Sequence, residues 1–64
     1  MGSSYSSRDI LKILRDDGWY LVATKGDHHH LKHPTKPGKV TVPHPEKDLP
    51  VFLVKSIFKQ AGLE

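Results

Sequence analysis

The sequence contains no cysteine. That excludes disulfide cross-links, thiol nucleophiles and a cysteine-based zinc site, and it is compatible with a reducing compartment. Long hydrophobic runs are missing too: stretches such as Val51-Phe52-Leu53-Val54 are far short of the roughly 20 apolar residues of a membrane span. Met1-Gly2-Ser3-Ser4 has no charged start leading into an apolar stretch, so no signal peptide is expected and the cytoplasm is the expected location. There is no glycine-rich nucleotide loop, paired-carboxylate pattern, internal repeat or low-complexity tract. Sixty-four residues allow one domain, expected over 1–64 with a folded core over 5–63. A chain this short buries only roughly 60% of its unfolded surface, so its core is thin.

Charge is present with a small excess. Ten lysines and arginines against seven aspartates and glutamates leave +3 with histidine neutral. Five histidines can add to this, because imidazole ordinarily titrates near neutrality. A positive small domain suits an anionic partner, but the placement of the cations decides the matter.

Residues 5–18 read as an amphipathic helix. Ser6 and Asp9 have the spacing of a capping box, and Tyr5 and Ile10 that of a hydrophobic staple. Ile10, Leu11 and Leu14 share one face with Ile13 at its edge, and Gly18 closes the helix. Trp19–Lys25 is an aromatic and β-branched strand candidate, Gly26-Asp27 a turn, and His28–His33 a second strand. Pro34-Thr35-Lys36-Pro37-Gly38 is a second turn, followed by a strand from Lys39 to Val42 that Pro43 ends. After a loop over 44–49, Pro50 can open a final helix. Leu53, Val54, Ile57, Phe58 and Ala61 form its apolar face, and Gly62 is its stop.

The fold class is therefore α+β: a small αβββα domain with a three-stranded antiparallel sheet and both helices on one face. The other face is left to solvent or a ligand. Symmetric pairing across the 34–38 turn sets Leu31 opposite Thr41 and splits the apolar residues between the faces. A one-residue shift restores a common apolar face, and that register is expected. His29, Leu31 and His33 then turn inward, and His28, His30 and Lys32 turn outward beside Lys39 and Thr41.

Four of the five histidines lie between His28 and His33. They can be solvated strand residues. His28 and His30, at i and i+2, can also form half of a metal site with His44, although the neighbouring lysines oppose a divalent cation. Acid–base chemistry on RNA is the third reading. RNA supplies its own nucleophile, the 2′-hydroxyl, so one imidazole can move the proton while lysines and backbone N–H groups stabilise the phosphorane oxygens. Neither metal nor cofactor is needed for that.

Asp17-Gly18-Trp19, Lys25-Gly26-Asp27-His28-His29, Lys32-His33-Pro34, Val40-Thr41-Val42-Pro43-His44 and Lys59-Gln60-Ala61-Gly62-Leu63 together resemble the HicA family, in its order and spacing, over residues 7 to 63. The resemblance implies a double-stranded-RNA-binding-domain-like αβββα fold. It implies a toxin that cleaves mRNA without a metal and is neutralised by a HicB antitoxin. It places the catalytic role on His28 and the turn glycine at Gly26; Lys25, Lys32 and Lys39 are the candidate phosphate contacts. Asp27 stands where the family often has serine, so a carboxylate adjoins the candidate base, where it can orient His28 or raise its pKa, or repel phosphate. Phe52-Leu53 replaces a common Gly-Thr pair and makes the second helix's entry more apolar. Two rival expectations remain: a non-catalytic RNA-binding module gripping backbone by shape, and a structural protein whose histidines are silent.

Overall fold

The computed structural model describes residues 5–63. The segment read above for a targeting signal, residues 1–4, lies outside the described residues. The elements follow the order expected: α1 (Ser7–Asp16), β1 (Tyr20–Lys25), β2 (His28–Lys32), β3 (Val40–Pro43) and α2 (Val51–Gln60). Among the described residues no helix is long and apolar enough to cross a membrane.

Both helices are bounded as local chemistry dictates. The Ser6 hydroxyl accepts from the Asp9 N–H and the Asp9 carboxylate accepts from the Ser6 N–H, a complete capping box. At the other end the Gly18 N–H bonds the Arg15 carbonyl and the Trp19 N–H that of Leu14. This Schellman closure needs a left-handed residue, and Gly18 has φ +109°. α2 closes in the same way, with Gly62 bonded to Lys59 and Leu63 to Phe58. Pro50 stands one residue before α2, its carbonyl accepting from Leu53 and Val54, rather than inside the first turn. The Tyr5 ring meets Phe58 of α2 edge-on at 5.7 Å, while its backbone bridges Leu49.

The sheet is antiparallel in the order β1-β2-β3. Leu31 pairs with Val40, His30 with Thr41 and His29 with Val42. This is the shifted register, and it collects Leu31, Val40 and Val42 on the helix side. They join Ile10 and Leu14 of α1, Val54, Ile57 and Ala61 of α2, and Trp19 and Leu49 in one buried cluster. Each large aliphatic side chain enclosed there contributes about 1.5–3 kcal/mol. Trp19, read as strand, is a core residue just before β1, where its bulk fills the corner between α1 and the sheet.

The helices pack on β3, and every residue of β1 is exposed. β1 also carries a bulge: Leu21 pairs with Leu31 and Ala23 with His30, so Val22 is an extra residue. In a regular strand Tyr20 and Lys25, five positions apart, would point to opposite faces. The bulge restores parity, so Tyr20, Ala23 and Lys25 all face away from the helices, opposite Lys32, His30 and His28.

Candidate functional site on the open sheet face

The open face is organised in rows. Lys25, His28 and Pro43 form one; Ala23, His30 and Thr41 the next; Tyr20 and Lys32 the last. Lys39 is exposed immediately before Val40. Between Gly18 and Pro45 the sequence holds four lysines and one carboxylate, Asp27. The small net charge is thus concentrated on the sheet, whereas most acidic residues lie on α1 and in the 46–48 loop.

His28 begins β2 directly after the Gly26-Asp27 turn. Gly26 has φ +57° and an added β-carbon would meet nothing within 4 Å, so within the fold it serves the turn's left-handed geometry. The His28 side chain is 57% exposed, and its Nδ1 lies 3.2 Å from a carboxylate oxygen of Asp27. The contact is electrostatic rather than a hydrogen bond, and among the described residues Nε2 has no partner.

His30 is half buried, with Nδ1 3.1 Å from the Thr41 hydroxyl. Loss of hydration lowers its pKa below the ordinary histidine value, and the positive neighbours Lys39, His28, Lys25 and His29 lower it further. Lys25, Lys32 and Lys39 are all exposed around it.

The inward histidines do other work. His33, only 9% exposed, places Nε2 2.7 Å from the Asp17 carbonyl oxygen, which can only accept, so Nε2 carries the proton. Its Nδ1 accepts from the N–H groups of Thr35 and Lys36, at 3.1 Å each, and its ring meets Trp19 edge-on. Lys36 completes this clasp by bonding the Asp17 carboxylate at 2.6 Å and the Ala61 carbonyl at 2.9 Å. The Lys36 hydrogen bond is the main reason that Asp17 has a pKa below the usual carboxylate value. His29 turns inward, paired with Val42; its ring is edge-on to His44 at 4.8 Å and its Nδ1 is buried without a partner among the described residues.

His44 is not on the open face. Its Nδ1 lies 2.6 Å from the hydroxyl of buried Ser7, which also accepts from the Glu46 N–H at 2.9 Å. His44 thus ties α1 to the 44–47 loop, in a groove shared with Arg8 and Lys47. It does not join His28 and His30 in a metal site, and among the described residues no group of three or more His, Asp or Glu side chains is arranged to hold a metal ion. Sequence reading missed the Ser7–His44–Glu46 tie, because nothing local marks a contact 37 residues apart.

Fold and face together define a small α+β domain with a cationic, histidine-bearing sheet open to ligands. Residues 7–63 match the family model described as the HicA toxin of bacterial toxin–antitoxin systems. The chain belongs to the HicA toxin family, and an antitoxin partner follows from that membership. A search among curated proteins finds no relative that matches.

Proposed function

We propose that this toxin is a metal-independent endoribonuclease of mRNA, acting as one domain with His28 as general acid/base. His28 takes the proton from a 2′-hydroxyl whose oxygen attacks the adjacent phosphorus. The bond from phosphorus to the 5′-oxygen then breaks. One fragment ends in a 2′,3′-cyclic phosphate, and the other, once its oxygen takes up a proton, in a 5′-hydroxyl. Lys25, Lys32 and Lys39 pair with phosphate oxygens, and Gly26 lets the turn backbone approach the strand. No cofactor takes part.

The observation that carries this reading is the composition of the open face. The histidine that the family resemblance singles out has Nδ1 turned to Asp27, with Nε2 left for substrate, Lys25 and Lys32 on the same side of the sheet, and Lys39 exposed just before β3. A HicB-type antitoxin is the partner of this reading, and it silences the toxin by covering His28 or its lysine neighbours.

The test is cleavage of a labelled single-stranded RNA in EDTA by the wild type and by His28→Ala. Cyclic-phosphate ends, insensitivity to EDTA and loss of cleavage in a folded His28→Ala protein are expected. Normal cleavage by that variant removes His28 from the mechanism. A wild type that binds RNA without cutting it is a binding module instead.

A further inference from the structure

Apart from the imidazoles of His28 and His30, Tyr20 is the one aromatic side chain on the open face among the described residues, and phosphate chemistry leaves it unused. Trp19 before it is buried in the core and Leu21 after it pairs with Leu31 on the helix side, so Tyr20 is turned the other way, opposite Lys32. It is 51% exposed. Among the described residues no hydrogen bond or ring contact engages its side chain; the aromatic contacts join Tyr5 to Phe58, Trp19 to His33 and His29 to His44. The bulge at Val22 is what brings Tyr20 onto the same face as Lys25 and His28.

We propose that Tyr20 is a base-stacking residue, whose ring takes an unpaired base of an RNA strand running across the open face between Lys32 and His28. The proposal rests on the RNA reading above and adds a specificity element to it. Sheet surfaces hold single strands by combining cations for the backbone with exposed rings for the bases, whose flat faces every nucleotide offers. Here both parts occur in adjacent rows. His28 and Lys32 are four residues apart on β2, about 13 Å at the usual strand rise. Tyr20 is therefore too far from His28 to touch the reacting nucleotide, and the base that it stacks flanks the scissile site. Stacking tolerates any base but favours larger rings, so Tyr20 prefers a purine at that flanking position.

The test measures binding of a short single-stranded RNA in a His28→Ala background, which keeps the strand whole, with Tyr20→Phe and Tyr20→Ala added. Stacking predicts a loss of about 5- to 150-fold for Tyr20→Ala and near-parental binding for Tyr20→Phe. An abasic residue moved along the strand should weaken binding to the Tyr20 protein at one position, and have little effect there with Tyr20→Ala. Thermal melts establish that each variant is folded. A folded Tyr20→Ala protein that binds as tightly as its parent overturns the proposal. So does failure of phenylalanine to substitute, or an abasic profile indifferent to the tyrosine. If Tyr20→Ala loses only antitoxin binding, the ring belongs to a protein interface and the stacking role falls. RNA binding unchanged by the Tyr20 variants removes the stacking role alone, whereas a wild-type chain that neither binds nor cuts RNA removes the function as well.

Discussion

His28 and His33 stand at opposite ends of one short segment and have opposite surroundings. His28 is mostly in solvent, with one contact, to the side chain of its sequence neighbour. His33 is enclosed, and it holds the Asp17 carbonyl and the amides of Thr35 and Lys36. An imidazole whose two nitrogens are both committed to backbone has nothing left for a substrate. One with a free nitrogen on a cationic surface does. Strand parity makes the division, since His28 and His30 face out while His29 and Leu31 face in.

The sharpest way to break this comparison is to delete each ring. His28→Ala should lower RNA cleavage by about 10²–10⁴-fold, with a stability change within about 0.5 kcal/mol. His33→Ala should do the reverse. It leaves the partly buried Asp17 carbonyl and the amides of Thr35 and Lys36 without their partner, at a cost of about 1–3 kcal/mol, while the protein that remains folded cleaves normally. Thermal melts and cleavage rates measured side by side decide it. A His33→Ala protein that is fully stable but inactive would invert the assignment.

The glycines divide along the same line. A β-carbon at Gly18 would sit 2.7 Å from His33 Nε2, on a backbone with φ +109°, whereas one at Gly26 meets nothing. Gly18→Ala should therefore displace His33 and cost about 2–3 kcal/mol by denaturant titration. Gly26→Ala should cost about 1–2 kcal/mol, the left-handed backbone penalty alone. Equal losses at the two positions would mean that the His33 clasp contributes little.

Much of this was legible because the determinants are local or obligatory. The capping box at Ser6 and Asp9 and the glycine stops at 18 and 62 involve residues within a turn of one another. The β2–β3 register followed from the need of Leu31, Val40 and Val42 for one face. Three features were not legible. The bulge at Val22 has no glycine or proline to announce it, valine being a good strand former. The Asp17–His33–Lys36–Ala61 clasp and the Ser7–His44 contact join distant segments. The apolar entry to α2 remains in water, with Phe52 75% exposed, and nothing in the fold explains it.

Lysines give a finer comparison. Lys25, Lys32 and Lys39 stand free on the face, while Lys36 is tied to Asp17 and Ala61. Replacing each of the first three by alanine should reduce the slope of log affinity against log salt by about 0.7. Lys36→Ala should leave the slope unchanged and lower the melting temperature. RNA titrations at several salt concentrations read this directly. A slope that responds to Lys36 and not to the other three would move the RNA path off this face.

His30 provides the smallest and most specific test of the face. Its pKa is lowered by lost hydration first, and then by Lys39, His28, Lys25 and His29 around it. A lowered histidine pKa means that folding disfavours the charged ring. His30's contribution to stability is therefore intact above the unfolded value of about 6.5, declines as pH falls below it, and stops declining beneath the folded pKa. Bound phosphates reverse the environment by offsetting the lysines and favouring the imidazolium. RNA binding should then take up a proton at His30 and tighten on acidification between the pKa of the RNA-bound protein and the lower pKa of the free one, by at most about tenfold per pH unit for one proton. His30→Gln keeps a side chain able to bond Thr41 and cannot titrate. Binding of a non-cleavable RNA, measured across that range, should become less pH-dependent in this variant, the residual slope belonging to other groups. If wild type and His30→Gln share one slope, no phosphate approaches His30, and the strand must cross the sheet elsewhere.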